Sequence, residues 1–306
     1  MKARGCPAVA PANDERCQLG VERDGLQKPG FAAGSSPGGA AGPASLRCAT
    51  MIIETLADLL TVAKQVETDM AQRPWWRGQA RADWPLIAAV HRVTDRGAYE
   101  RGITLQFQGR APSRHPNCPP LADTAAWLNL MQHHGLPTRL LDWTESALFA
   151  LHFAVREREF DSEDACIWAL DPFRMNELHF GQLGTLASTD NEIQPLLWLF
   201  RQDGELPAKG QDVAALTPTH VDLRNQVQVS VFTIHATPRP LEECENAIVF
   251  LRKVTIPSTA KSSLRKSLRR LCVTDSYLFP DLTHLAQEQK ASCFCLRRPC
   301  PHREDF

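Results

Sequence analysis

Gly135 and Pro137 fall between two apolar stretches of helical spacing, and this pair of breakers constrains the chain more than any other feature. Upstream, a helix capped by Asp123 or Thr124 is expected to run to His134, with Gly135 as its stop. Downstream, Thr144 is expected to cap a helix reaching about Glu159, with Ala147, Leu148, Leu151 and Val155 on its buried side. The intervening stretch reads as the turn of a helix-turn-helix junction. It is crowded with polar groups: Gln132, His133, His134, Thr138, Arg139 and Asp142 all lie between Gln132 and Trp143. A second cluster, Trp75-Trp76-Arg77-Gly78-Gln79, lies upstream after a helix ended by Pro74 and reads as a short strand.

The rest of the chain sorts around these two clusters. Residues 1–50 are rich in Gly, Pro, Ala and Ser, a composition that cannot supply a core, and a disordered tail is expected there. A helical pattern starts at Met51 and carries Ile53, Leu56, Leu59, Leu60, Ala63 and Val66 towards Met70. Met51 is either the true initiator or the end of a real tail, and both readings stay open. Residues 106–120 hold Gly109, Pro112, Pro116, Pro119 and Pro120 and read as a loop. Strands are expected at Ala165–Leu170, Val227–His235 and Ala247–Ile256, the last of them central. A helix over about Thr259–Cys272 and a last short helix follow. The expected architecture is α+β: a single domain over 51–290 with a mixed, mainly antiparallel sheet flanked by helices, and a tail over 291–306.

Composition narrows the class. With 43% hydrophobic residues the 306-residue chain can bury a proper core. A net charge of −1 gives no global pull toward nucleic acid or anionic membrane. The start of the chain lacks the apolar run of an export signal, and the longest apolar stretch, Ala147–Val155, is far short of a membrane span. A soluble cytoplasmic protein with reduced cysteines is expected. Cys293, Cys295, Cys300 and His302 are too compressed for a zinc site, and no metal is expected.

The motifs resemble those of the FRG domain family, named for an aromatic-Arg-Gly sequence. Residues 132–143 match that family's Gln-His-aromatic-Gly-x-Pro-Thr-Arg-Leu-Leu-Asp-Trp element, with His134 in place of the aromatic. Trp76-Arg77-Gly78 matches the naming motif, and Gln228–His235 resembles a later segment in which Ser230 replaces a glycine. Ile256-Pro257-Ser258 and Leu278–Leu282 resemble the closing elements, so the resemblance spans about residues 52–287. It implies a domain of that family and names no reaction and no cofactor.

The residues themselves suggest a site for an anion. Arg77, beside Gly78 and two indoles, suits bidentate binding of phosphate or carboxylate; the rival reading is an arginine that locks the fold. Gly78, which would let backbone and ligand approach closely, joins Gln79, Gln132, Thr138 and Arg139 in the candidate ligand-binding set, although Arg139 can equally fix the turn by pairing Asp142. His133, at a helix end, and Asp142 are the candidate catalytic groups. The two clusters are expected to meet in space around an anionic, nucleotide-like small molecule. An interaction module with purely structural motifs is the alternative. A second is an NAD-using transferase, since aromatic-Arg-Gly also resembles the first signature of arginine-type ADP-ribosyltransferases, with Glu243-Cys244-Glu245 standing for their acidic motif. The basic helix with Lys261, Arg265, Lys266, Arg269 and Arg270 reads as a solvated face, and nucleic-acid contact is its lesser reading. Oligomeric state is not legible.

Overall fold

The computed structural model describes residues 51–70, 73–92, 96–181, 183–200, 205–217 and 223–297, and among these lies one mixed sheet of eight strands. In chain order the elements are β1 (Met51–Ile52), α1 (Leu56–Met70), β2 (Trp75–Gln79), α2 (Arg96–Arg110), α3 (Thr124–His133), β3 (Leu140–Thr144), α4 (Ala147–Val155) and β4 (Ala165–Leu170). Then come α5 (Pro172–Phe180), β5 (Leu186–Ala187), β6 (Val213–Thr217), α6 (Leu223–Gln228), β7 (Ser230–His235) and α7 (Ala247–Phe250). The chain continues through β8 (Leu251–Ile256), α8 (Ser258–Arg270), α9 (Asp275–Leu278) and α10 (Leu282–Arg297). Strand order across the sheet is β1-β8-β4-β2-β3-β7-β6-β5. Only the edge pairs β1–β8 and β5–β6 are parallel, so the sheet is mixed and mainly antiparallel, as the α+β reading required. The expected N-terminal tail lies outside the described residues.

Three apolar clusters cover the sheet. On one face α1, α4 and α8 pack over β1, β8, β4 and β2, burying Val66, Trp76, Ala150, Ile167 and Leu264. Beside them, α3 and the 3-10 segment Asn191–Phe200 cover β3, β7 and β6 through Leu128, Leu140, Ile193 and Phe232. The opposite face holds Trp75, Leu86, Trp143, Met175 and Phe250. This alternation of neighbouring strand residues between faces is what a pleated strand demands.

Five expectations are corrected. Residues 140–144 form a central strand rather than a turn: Leu140, Leu141 and Trp143 are buried, while Asp142 alone is exposed in the run. The helix after it is capped by Ser146, whose Oγ accepts from the Phe149 amide. The stretch read as a loop over 106–120 begins inside α2, whose three glycines, Gly97, Gly102 and Gly109, hide its helical character. The long strand at 247–256 is α7 followed by β8: Asn246, at φ 59°, precedes α7, and the backbone becomes extended only at Leu251, with φ −127°. Strand β7 starts only at Ser230, because Val227 and Gln228 end α6. Between them Val229 sits at φ 48°, a region β-branched residues avoid. Its carbonyl takes the Glu145 amide, which ties the start of β7 to the end of β3.

The basic helix α8 is also rearranged. Lys261 is 1% exposed, and its ammonium donates to the carbonyls of Ala80 and Phe160. Arg265 bonds the Val155 carbonyl and pairs with Asp161. Two of the five cations thus hold the fold together and are withdrawn from any phosphate-binding face. No helix of the described residues is long and apolar enough to cross a membrane.

Candidate functional site

The sheet splits in its middle. Strands β2 and β3 share a single register pair, Trp76 with Thr144. β2 continues alongside β4 as far as Gln79, while β3 continues alongside β7 back to Leu140. Beyond the shared pair the two strands diverge, and a cavity of about 380 Å³ opens in the fork, a volume typical of small-molecule sites. Side chains of both sheet faces wall it.

Gly78 sets the position of β2. A Cβ there would lie 1.9 Å from the Ala150 carbonyl oxygen and 2.6 Å from the Ala154 amide nitrogen. The glycine is needed so that the strand can lie against the backbone of α4, not so that a ligand can approach, as the sequence had suggested. With Gly78 pressed onto α4, Arg77 projects from the other side of the strand.

Arg77 lies on the cavity floor. Its Nη1 donates to the backbone carbonyl of Asp142, reaching across the fork to a β3 group that has no strand partner on that side. Its Nε is buried without a hydrogen-bond partner among the described residues. No described carboxylate forms an ion pair with it within 4 Å. Solvent reaches part of the side chain, yet protein surrounds the floor. Burial therefore holds the guanidinium below the usual arginine range; Asp142 opposes that shift and the nearby charge of Arg92 adds to it.

Asp142 is exposed on the cavity wall, and a relay orients its carboxylate. The Leu140 amide donates to Thr138 Oγ1 at 3.2 Å, and the Thr138 hydroxyl donates to Gln132 Oε1. The Gln132 amide group is thereby aimed to donate to Asp142 Oδ1 at 2.6 Å. Gln132 and Thr138 serve the site from behind Asp142. Gln79 also lines the cavity, but its Oε1 accepts from Trp168 Nε1 at 2.7 Å, so much of its amide is engaged in the core.

The structure places two expected site residues elsewhere. Arg139 is 1% exposed and turned away from the fork. Glu100 of α2, equally buried, takes its Nη2 at 2.6 Å and its Nε at 3.1 Å, and the Leu196 carbonyl takes Nη1. That guanidinium is buried against Glu100 and does not line the cavity, and its partner is Glu100 rather than Asp142. His133 is not among the lining residues; its half-buried ring packs edge-on to His134 at 4.9 Å, and only its carbonyl reaches toward the site, accepting from Arg224 at 3.0 Å. Glu243 and Glu245 do not line this cavity either, so the acidic motif of a transferase is not assembled beside Arg77.

In their place come residues that the motifs did not announce. Arg92, Arg156 and Arg224 line the cavity with Trp84, Phe153 and Phe279. They arrive from a 3-10 turn, the end of α4, the start of α6 and the exit of α9, and no spacing in the sequence links them. Cys166 and Trp168, behind Arg77 on β4, are core: burial pushes the Cys166 thiol up to about 11.

Below the site a neutral histidine is built into β7. His235 is fully buried, and burial lowers it to about 3, with the charges of His91 and Arg77 adding to the shift. Trp143 Nε1 donates to Thr233 Oγ1 at 3.0 Å, which leaves the Thr233 hydroxyl to donate to His235 Nε2 at 2.8 Å. The unfolded chain, with an ordinary value near 6.5, binds a proton in the window between about 3 and 6.5 that the folded chain refuses. Stability from this group is therefore present above pH 6.5 and lost as pH falls, on the order of 5 kcal/mol across the window. Urea titrations from pH 4 to 7 should show a slope shallower by nearly one proton in His235→Gln than in the parent. Equal slopes would refute the assignment.

These features define a class: an α+β domain whose split central sheet opens an arginine-lined cleft. The chain contains an FRG domain, the family model of that description matching residues 72–163. No curated protein and no solved structure matches the chain. The matched stretch carries the cavity floor, Arg77 and Asp142, while Arg224 and Phe279 lie beyond it.

Proposed function

We propose that this FRG-domain protein binds an anionic, nucleotide-like small molecule in the fork between β2 and β3, with Arg77 as its anchor. One observation carries the reading: a guanidinium at the base of an open cavity that spends one N–H on a carbonyl, keeps Nε buried without a partner, and has no ion-paired carboxylate. A phosphate or carboxylate supplies the paired acceptors this fork lacks. Four guanidiniums face the cavity against two carboxylates, Asp142 and Glu157, so the site's net charge favours an anion. Trp84, half-buried on the wall with its edge set against Phe160, offers an indole to a planar ring. Asp142, oriented by Gln132, retains lone pairs to accept a hydroxyl proton of the ligand and is the catalytic candidate of the site. A role for His133 in proton transfer drops out, since its ring does not line the cavity.

The test is Arg77→Lys. An ammonium cannot copy the planar fork, so binding of ADP, followed by calorimetry, should fall at least about 30-fold. Stability should fall by only about 1–2 kcal/mol, the worth of the bond to the Asp142 carbonyl. Unchanged affinity in Arg77→Lys, or a parent that binds neither ADP nor inorganic phosphates, would overturn the reading.

A further inference from the structure

We propose that the ligand of this cavity carries two linked anionic groups, a diphosphate or longer, each held by its own pair of arginines on opposite sides of the split sheet. This rests on the anion-binding reading above and adds to it the number and placement of the charges.

The first pair is Arg77 and Arg92. Arg77 projects to the face that buries Trp143 and Leu86, and Arg92 follows Leu86 in the chain on the turn Ala89–Arg92. Arg92 is tied down through the Ile87 carbonyl, which accepts its Nε at 3.2 Å and its Nη2 at 2.8 Å. It has no ion pair with a described carboxylate, and it stands close enough to Arg77 for its charge to be felt there. The second pair is Arg156 and Arg224, on the opposite face, where Phe279 belongs to the same apolar cluster as Trp76 and α4. Their guanidiniums stand 5.1 and 4.7 Å from the centroid of the Phe279 ring. The His284 imidazole also stacks on that ring, at 4.5 Å. The phenyl group is thus occupied in holding cations and is not a platform for the ligand.

Like charges gathered twice in one half-buried cavity repel within each pair, and the protein relieves this only in part. Arg156 shares Asp275 at 3.4 Å and Glu157 at 3.9 Å, but Asp275 is itself bonded to His152 at 3.0 Å. Arg77, Arg92 and Arg224 make no ion pair among the described residues; each is steered by a backbone carbonyl, which fixes direction without neutralising charge. A single orthophosphate answers one pair and leaves the other. Two anionic groups joined by a short link answer both, and the second binds as an intramolecular event once the first is held.

The experiment is calorimetry on the full chain at fixed ionic strength with orthophosphate, pyrophosphate, triphosphate, AMP and ADP. Pyrophosphate or triphosphate should bind at least about 30-fold more tightly than orthophosphate, and ADP should exceed AMP by a similar factor. Arg224→Gln should erase this advantage while orthophosphate still binds at Arg77; Arg92→Gln should erase it from the other side. ADP tighter than pyrophosphate assigns the diphosphate to a nucleotide, equal binding assigns it to free polyphosphate, and both uphold two poles. Orthophosphate and the longer anions binding within about 3-fold of one another, or an advantage that survives Arg224→Gln, overturns the two poles and leaves the single-anchor reading standing. Absence of binding by every anion overturns both.

Discussion

Gly78→Ala is expected to cost the domain about 3 kcal/mol or more, the upper end of what overpacking does in a well-packed interior. The added methyl group would meet backbone, not a side chain that can swing aside: the Ala150 carbonyl at 1.9 Å and the Ala154 amide at 2.6 Å. Strand β2 or helix α4 must then shift, and either movement disturbs the buried cluster around Trp76, Leu151 and Ile167. Trimming Ala150 or Ala154 to glycine should bring no rescue, because neither change removes the opposing atoms. Urea or thermal unfolding of the three variants checks this. A Gly78→Ala protein that melts with the parent would show that the strand does not lie as close to the helix as described.

Arg139→Ala should be nearly as damaging, by about 3–5 kcal/mol, because it strands the Glu100 carboxylate in the interior. Both side chains are almost wholly buried and bonded to one another through three contacts of 2.6–3.1 Å. Replacing both at once, as Arg139→Met with Glu100→Met, should recover much of the loss, since two apolar chains of similar volume leave no charge unpaired. A double-mutant cycle from denaturant unfolding measures the coupling. Additive losses, with no recovery in the pair, would mean that Arg139 acts through packing alone. Two arginines from neighbouring motifs, similar on paper, separate into one that stabilises the fold and one that faces the cavity.

That separation shows where sequence reasoning reaches and where it stops. α3 was legible because Asp123 caps it and Gly135, at φ 82°, ends it. β2, β4 and α8 were legible from apolar spacing and from the prolines beside them. β3 was not: five residues with a charged Asp142 in the middle resemble a turn, and only the neighbouring strands reveal that Asp142 points into a gap in the sheet. The break between α7 and β8 was hidden inside a continuous apolar run, which has no period to mark a change of structure. The meeting of residues 75–79 with residues 132–143 could be anticipated because both clusters are polar amid aromatic residues. Glu100 could not, since it lies on a helix weakened by three glycines. The arginines at 92, 156 and 224 could not either, since each comes from a segment without a motif and acquires its role only through the packing of Leu86, α4 and Phe279.

The single register pair between β2 and β3 also bears on what the recognisable part of this chain can be by itself. The stretch 72–163 contains both strands of the fork but ends before β4 and long before β7, the partners that hold β2 and β3 along their lengths. Cut out and expressed alone, it would own two strands joined at one point, below the size at which a sheet persists in water. The chain passes from one side of the crease to the other between β2 and β3, β3 and β4, β4 and β5, and β7 and β8, so each half of the sheet is woven from distant segments. What is conspicuous in the sequence is therefore the seam of the molecule rather than an autonomous folding unit, and a fragment chosen by its motifs would lack the cloth on either side.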